Sequence, residues 1–281
     1  MTLNLNYHPS QGYVADHQAY LSYSPTFPLN QWVQSFWQLN VPSGNFIFHS
    51  IPDNCVDLII NRNHPEEAFI VTPFSTASLF ELSGPVSYFG IRFSILGHQS
   101  LITAPLGEWT SYGQEQQEID AAKIVSNQLL SNLSETIASP FQFNSLCKQL
   151  TITLLNNVRQ PKLDSRLLNY IQYCHQNMAS NMILSNKQCA EFGLSSRQLR
   201  RLTHRYLGLS PKEFSRVLRF QQTLQIMNTS NGKSHIASSA KNEWARHYYD
   251  QPHFIREFKR LSGLTPSEFR TTSVLYNTTE L

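Results

Sequence analysis

No run in this 281-residue chain approaches the roughly 20 consecutive apolar residues that a membrane span requires. Met1 to Ser10 has neither the basic nor the apolar part of a signal peptide. No membrane role is therefore expected, and the cytoplasm is the expected compartment. Cysteine is scarce. Cys55, Cys147, Cys174 and Cys189 are far apart and form no C-x-x-C, so buried reduced thiols are expected, not a disulfide framework or a metal site. Charge is sparse at 15% of residues, and basic charge is nearly missing from the first half. Residues 1–160 carry 5 Lys+Arg against 11 Asp+Glu, a net of −6; residues 161–281 carry 17 against 8, a net of +9. A basic half suits a polyanionic partner, and an acidic half beside it could attract it and hold an inactive form.

What is present falls into two styles. Residues 1 to about 112 read as β-rich. I-P-D-N-C-V-D-L-I-I (51–60), E-A-F-I-V (67–71) and Y-F-G-I-R-F-S-I (88–95) are short apolar or alternating runs separated by Pro, Gly and Asn, as in a sandwich or barrel. This region holds 18 of the 33 aromatics, enough either to fill a β core or to line a ligand pocket. From Ile119 the period changes to a helical one through Ala122, Leu129, Leu130, Leu133 and Ile137, with Pro140 as a stop. A second helix is expected over about 142–158. The polar stretch R-Q-P-K-L-D-S (159–165) marks the domain boundary, giving residues 1–160 and 161–281.

The second half repeats a phrase. G-L-S-P-K-E-F (208–214) returns as G-L-T-P-S-E-F (263–269). Gly ends one helix in the left-handed conformation; Ser or Thr caps the next, with Pro at its first position and Glu closing a capping box. The phrase is punctuation, so chemistry is sought in the helix before each copy. The first, S-S-R-Q-L-R-R-L-T-H-R-Y (195–206), turns Leu199, Leu202 and Tyr206 inward and Arg197, Arg200, Arg201 and His204 outward. Gln188 to Leu194 reads as the preceding helix with Gly193 in the turn, which makes a helix-turn-helix. The second, D-Q-P-H-F-I-R-E-F-K-R-L (250–261), has Asp250 as its cap and an outer face of Pro252, Ile255, Arg256 and Lys259. Pro211 to about Met227 should form one long helix between them.

These motifs, from S-S-R-Q-L-R-R through Y-Y-D-Q-P-H-F-I-R-E-F-K-R to G-L-T-P-S-E-F-R, closely resemble the DNA-binding domain of AraC-type transcription regulators over about 165–270. The resemblance implies seven helices: two helix-turn-helix units on a long linker helix, with double-stranded DNA as the partner. It places base reading on Arg197, Arg200, Arg201 and His204 and on Gln251, His253, Arg256 and Lys259. Ser195, Ser196, Arg205 and Lys212 are the candidates for phosphate contact. The stretch S-S-A-K-N-E-W-A-R-H (238–247) departs from the family pattern, with Trp244 or His247 where Gly is usual and Ala240 or Glu243 at the Ala position. The second unit should therefore be the looser one and the first should carry most of the specificity.

P-L-N-Q-W-V-Q-S-F-W (28–37), the 51–60 run and Y-F-G-I-R-F (88–93) are similar to an uncharacterised cupin-like sensor domain that precedes some AraC-type domains. The expected fold is thus α+β: a cupin-like β-barrel with following helices (119–158), then an all-α DNA-binding domain. The resemblance implies a transcription regulator, an activator, that is controlled by a small-molecule effector or by a protein partner, with RNA polymerase as a further partner. Helices 119–158 could form a homodimer or only close the sensor domain. A cupin-type metal enzyme is the alternative from another class. His8, His17, His49, His64 and His98 lack the H-x-H…E…H arrangement of such sites, and no nucleophile elbow, H-E-x-x-H or phosphate loop occurs. No enzyme activity, metal or cofactor is expected. An RNA reader would present aromatic stacking platforms, which the basic half lacks.

Overall fold

The computed structural model describes residues 5, 7–12, 14–16, 18–102, 104–108, 118–177, 185–230 and 248–278. The N-terminal part is an antiparallel sheet built from β1 (Tyr20–Tyr23), β2 (Val33–Ser50), β3 (Asp57–Asn61), β4 (Ala68–Val71), β5 (Ser78–Phe93) and β6 (Glu118–Asp120). Their order is β1-β2-β5-β3-β4-β6, so β5 returns to lie between β2 and the β3–β4 hairpin. Side chains alternate across this sheet. Phe36, Leu58, Ile60, Phe89, Ile91 and Phe93 face one way and are buried under two helices, α1 (Asn127–Ala138) and α2 (Phe143–Leu155). Leu129, Leu133 and Ile137 of α1 and Leu146, Leu150 and Leu154 of α2 are the inward stripe of that layer. The stripes that could have formed a dimer thus close the sheet within one chain.

The other face of the sheet is concave. β2 is 18 residues long and β5 is 16, and their register slips by one residue between Val41 and Gly44. A bulge of this kind bends the strand and reverses which parity faces inward. Trp37, Leu39 and Val41 before it therefore share a cluster with Phe46 and Phe48 after it. Gly84 sits opposite the slip, where a β-carbon would lie 1.8 Å from the Pro42 carbonyl oxygen. Only glycine fits at that crossing.

The expected helix from Ile119 begins later than its spacing suggests. Residues 118–120 pair with β4 as β6, and Asp120 then caps a short 3-10 turn by accepting from the Ala122 N–H. Three alternating residues satisfy a strand as well as a helix, and the open edge of β4 decides between them. Of the 51–60 run only residues from Asp57 onward are strand; Ile51 to Val56 form a buried loop with Asn54 at φ 61.

The second part contains α3 (Ser165–Gln176), α4 (Asn186–Glu191), α5 (Ser196–Leu207), α6 (Pro211–Ser230), α7 (Gln251–Ser262) and α8 (Pro266–Thr271). These are the helices of that part among the described residues; the atypical segment with Ala240, Glu243, Trp244 and His247 lies outside them. The chain then crosses back. β7 (Leu275–Asn277) pairs antiparallel with Phe46–Phe48 of β2, adding a C-terminal strand to the N-terminal sheet. The two parts also meet along α6. Gln221 donates to the carbonyls of Pro52 (2.7 Å) and Ser10 (3.1 Å), and Asn54 donates to the carbonyl of Phe214 (3.1 Å). The Ser75 hydroxyl adds a contact to the Glu213 carboxylate at 3.4 Å, and Ile51 packs among Val217, Phe220 and Leu224 of α6.

Candidate nucleic-acid interface and an acidic cavity

The first helix pair is defined by local chemistry. Ser185 and Gln188 form a capping box that opens α4, and Ser195 and Gln198 form another that opens α5. Gly193 turns between them at φ 69, and Gly208 ends α5 at φ 70. Both glycines occupy the left-handed region that other residues enter at a cost. Leu199, Thr203 and Leu207 are the buried positions of α5, while Leu202 and Tyr206 are half-buried against the same cluster. Arg197, Arg200, Arg201 and Arg205 are exposed. Three arginines on one outer stripe offer planar five-donor guanidinium groups suited to base edges and phosphates.

His204 does not share that exposure. The 3-10 turn Leu106–Glu108 lies against it, so close that a β-carbon on Gly107 would come within 2.5 Å of His204 Nδ1. The N-terminal part thus covers the C-terminal end of the outer stripe. Ser195 and Ser196 are also engaged: the Ser195 hydroxyl accepts from the Gln198 N–H, and that of Ser196 donates to Asn186 Oδ1. Arg205 lies over the ring of its neighbour Tyr206, 5.6 Å from the centroid, and Lys212 is exposed at the start of α6.

The second unit is assembled differently. Asp250 caps α7 by accepting from the His253 N–H at 2.7 Å, with Pro252 in the first turn. Gln251, Arg256 and Lys259 are exposed, together with Ile255 and Arg260. His253 is half-buried, its Nε2 3.2 Å from Glu257 Oε2 and its ring edge-on to Tyr248. Glu257 itself is buried and paired with Arg219 and Arg216 of α6. Burial pushes its carboxyl up, but the charges and hydrogen bonds of Arg219 and Arg216 outweigh this and hold it below the usual carboxylate range. Sequence reasoning missed this cluster. A signal existed: at the offset of the repeat, Glu257 stands where α5 has Leu202, a charge in an inward register.

The concave face of the sheet lines a cavity of about 510 Å³. Its floor is an ion cluster. The Arg92 guanidinium contacts both oxygens of Asp57 at 3.1–3.2 Å and Asp53 Oδ2 at 3.1 Å, while Trp37 Nε1 donates to Asp57 Oδ1 at 2.8 Å. Trp37 lies flat over Gly90, where a β-carbon would fall 2.0 Å from the indole. The Gly of Y-F-G-I-R-F is thus what lets the indole reach Asp57. Gln11 links the cluster to the rest of the chain: its amide donates to Asp53 Oδ2 and to the Ile51 carbonyl.

Residues 188–272 match the family model described as a helix-turn-helix domain, and residues 21–114 match one described as a domain of unknown function (DUF6597). The arabinose operon regulatory protein of Salmonella typhimurium is 28% identical over 129 residues, 45% of this chain and 44% of that protein. The match thus spans less than half the length of that curated relative. The chain thus carries a helix-turn-helix domain preceded by the domain of unknown function. Solved structures similar to the chain include ToxT from Vibrio cholerae. The apo form of a ToxT variant has a TM-score of 0.41 at 13% identity, covering 91% of this chain and 98% of that one. The wild type with bound unsaturated fatty acid has a TM-score of 0.42 at 12% identity, covering 91% and 96%. Among the described residues no helix is long and apolar enough to cross a membrane.

Proposed function

We propose that this protein is a sequence-specific DNA-binding transcription regulator, an activator whose N-terminal part senses a small molecule. One observation carries the DNA reading: two capped helices with exposed arginine or lysine faces, α5 and α7, flank a single 20-residue helix, α6. At 1.5 Å per residue α6 is about 30 Å long, close to the roughly 34 Å between successive major grooves on one side of B-DNA. Arg197, Arg200 and Arg201 read bases, with His204 joining them once the 106–108 turn withdraws. Gln251, Arg256 and Lys259 contact the neighbouring groove, while His253 serves the Glu257 cluster in the structure described. Arg205 and Lys212 contact phosphates; Ser195 and Ser196 act as caps. RNA polymerase is the expected partner of an activator of this kind.

The sensing part of the reading rests on the cavity and its connection to α6. Asp53 belongs to the cavity floor, and its loop neighbours Pro52 and Asn54 accept from Gln221 and donate to the Phe214 carbonyl of α6. A ligand that moves this loop moves the helix that joins the two DNA-reading units. Selection of bound fragments from random DNA tests the DNA reading. It predicts an enriched motif with two half-sites about one helical turn apart, and an affinity that falls steeply with salt. Retention of all sequences equally would overturn it.

A further inference from the structure

We propose that the cavity binds an organic cation, a positively charged amine or quaternary ammonium group carried on an apolar body. This inference rests on the sensing role proposed above. Four carboxylates line the cavity, Asp53 and Asp57 buried on its floor and Glu81 and Glu118 on exposed residues at its rim, against one cation, Arg92. Arg92 is already engaged by both floor carboxylates, so it offers no unmatched positive charge to an anionic ligand. Glu118, at the β4 edge of the cavity, has no ion-pair partner among the described residues. Burial pushes its carboxyl above the usual range, and burial does the same to Asp53 even against the charge of Arg92.

The walls suit the same class. Tyr20, Trp37, Phe48, Phe69, Phe80 and Tyr88 contribute aromatic faces. Aromatic faces attract a cation, most strongly where water is excluded. A carboxylate would lose hydration in the cavity and meet mostly like-charged neighbours, the single Arg92 being already paired with Asp53 and Asp57. A neutral apolar molecule would fit the walls but leave the acidic excess uncompensated. The volume lies within the range of about 300–1,000 Å³ usual for small-molecule sites.

The test is calorimetric titration of the full chain with three probes that share a benzyl group: benzyltrimethylammonium, its uncharged carbon isostere neopentylbenzene, and the anion 3-phenylpropanoate. The ammonium is expected to bind about 10-fold or more tightly than the isostere, and the carboxylate is expected to give no binding heat. Glu118→Gln should weaken the ammonium about 3- to 10-fold and leave the isostere unchanged; Glu118 lies on a strand edge, its residue exposed overall and only its carboxyl partly shielded at the cavity rim, so the variant keeps the fold. Equal or tighter binding of the isostere or the carboxylate, or no binding of the ammonium, overturns the assignment. DNA affinity measured with and without the ammonium judges the sensing role separately. Selective ammonium binding that leaves DNA affinity unchanged keeps the ligand class and removes the sensing role.

Discussion

The helices α5 and α7 occupy equivalent places in two copies of one device, yet they are held by different physics. α5 is seated by apolar contacts through Leu199 and Leu207, which leaves three arginines on its outer stripe exposed. α7 is seated by phenylalanines, Phe254 and Phe258, and also by a buried carboxylate that needs Arg219 and Arg216 to neutralise it. Two of the basic residues that make the second half electropositive are thereby unavailable to DNA. A positive tally overstates a binding surface whenever some of the cations serve buried acids.

The largest test of this difference is Glu257→Ala. It removes the buried carboxylate that pairs with Arg219 and Arg216 and should cost about 3–5 kcal/mol of stability, read from urea unfolding; Leu202→Ala in α5, a half-buried apolar truncation, should cost about half as much. A smaller effect for Glu257→Ala would mean that the two units are held alike. Next, Arg201→Ala should lower affinity for the cognate site by about 1–3 kcal/mol while changing affinity for random DNA far less. Equal losses on both would make Arg201 a phosphate contact. Arg256→Ala should reduce discrimination by less than Arg201→Ala in the same competition assay, and the reverse ranking would move the specificity to the second unit.

Acid should separate the units as well. The Glu257 carboxyl is held low in the folded chain, so its stabilisation is present above the ordinary value of about 4.3 and is lost as pH falls through the lower folded value. Amide exchange of α7 should therefore accelerate before that of α5 when pH drops below about 4. The smallest expected effect belongs to Gly107→Ala. The added methyl meets His204 and should lift the 106–108 turn from α5, raising DNA affinity about 2- to 5-fold in a gel-shift titration if the covered His204 limits binding. Lower affinity would show that the contact supports α5 instead of masking it.

Local features were legible in the residues alone. The capping boxes at Ser195 and Thr265, the stops at Gly208 and Gly263, the Asp250 cap and the arginine stripe all depend on neighbours within four positions, and the spacing of residue types specifies them. The β style of the first part was legible by alternation. Its cavity was not, because the inward face of β2 changes parity at a bulge that only pairing with β5 reveals.

What tertiary structure decided involves partners far apart in the chain. Asp57 meets Arg92, Arg219 meets Glu257, Gly107 meets His204, and β7 returns from residue 275 to pair with β2. A charged residue reads the same in sequence whether it is solvated or buried in a pair, since burial is a property of the packed chain. Order along the chain alone determined that two capped helices frame a long linker. Packing decided which of their cations face outward, and placed an acid-rich cavity one loop away from that linker.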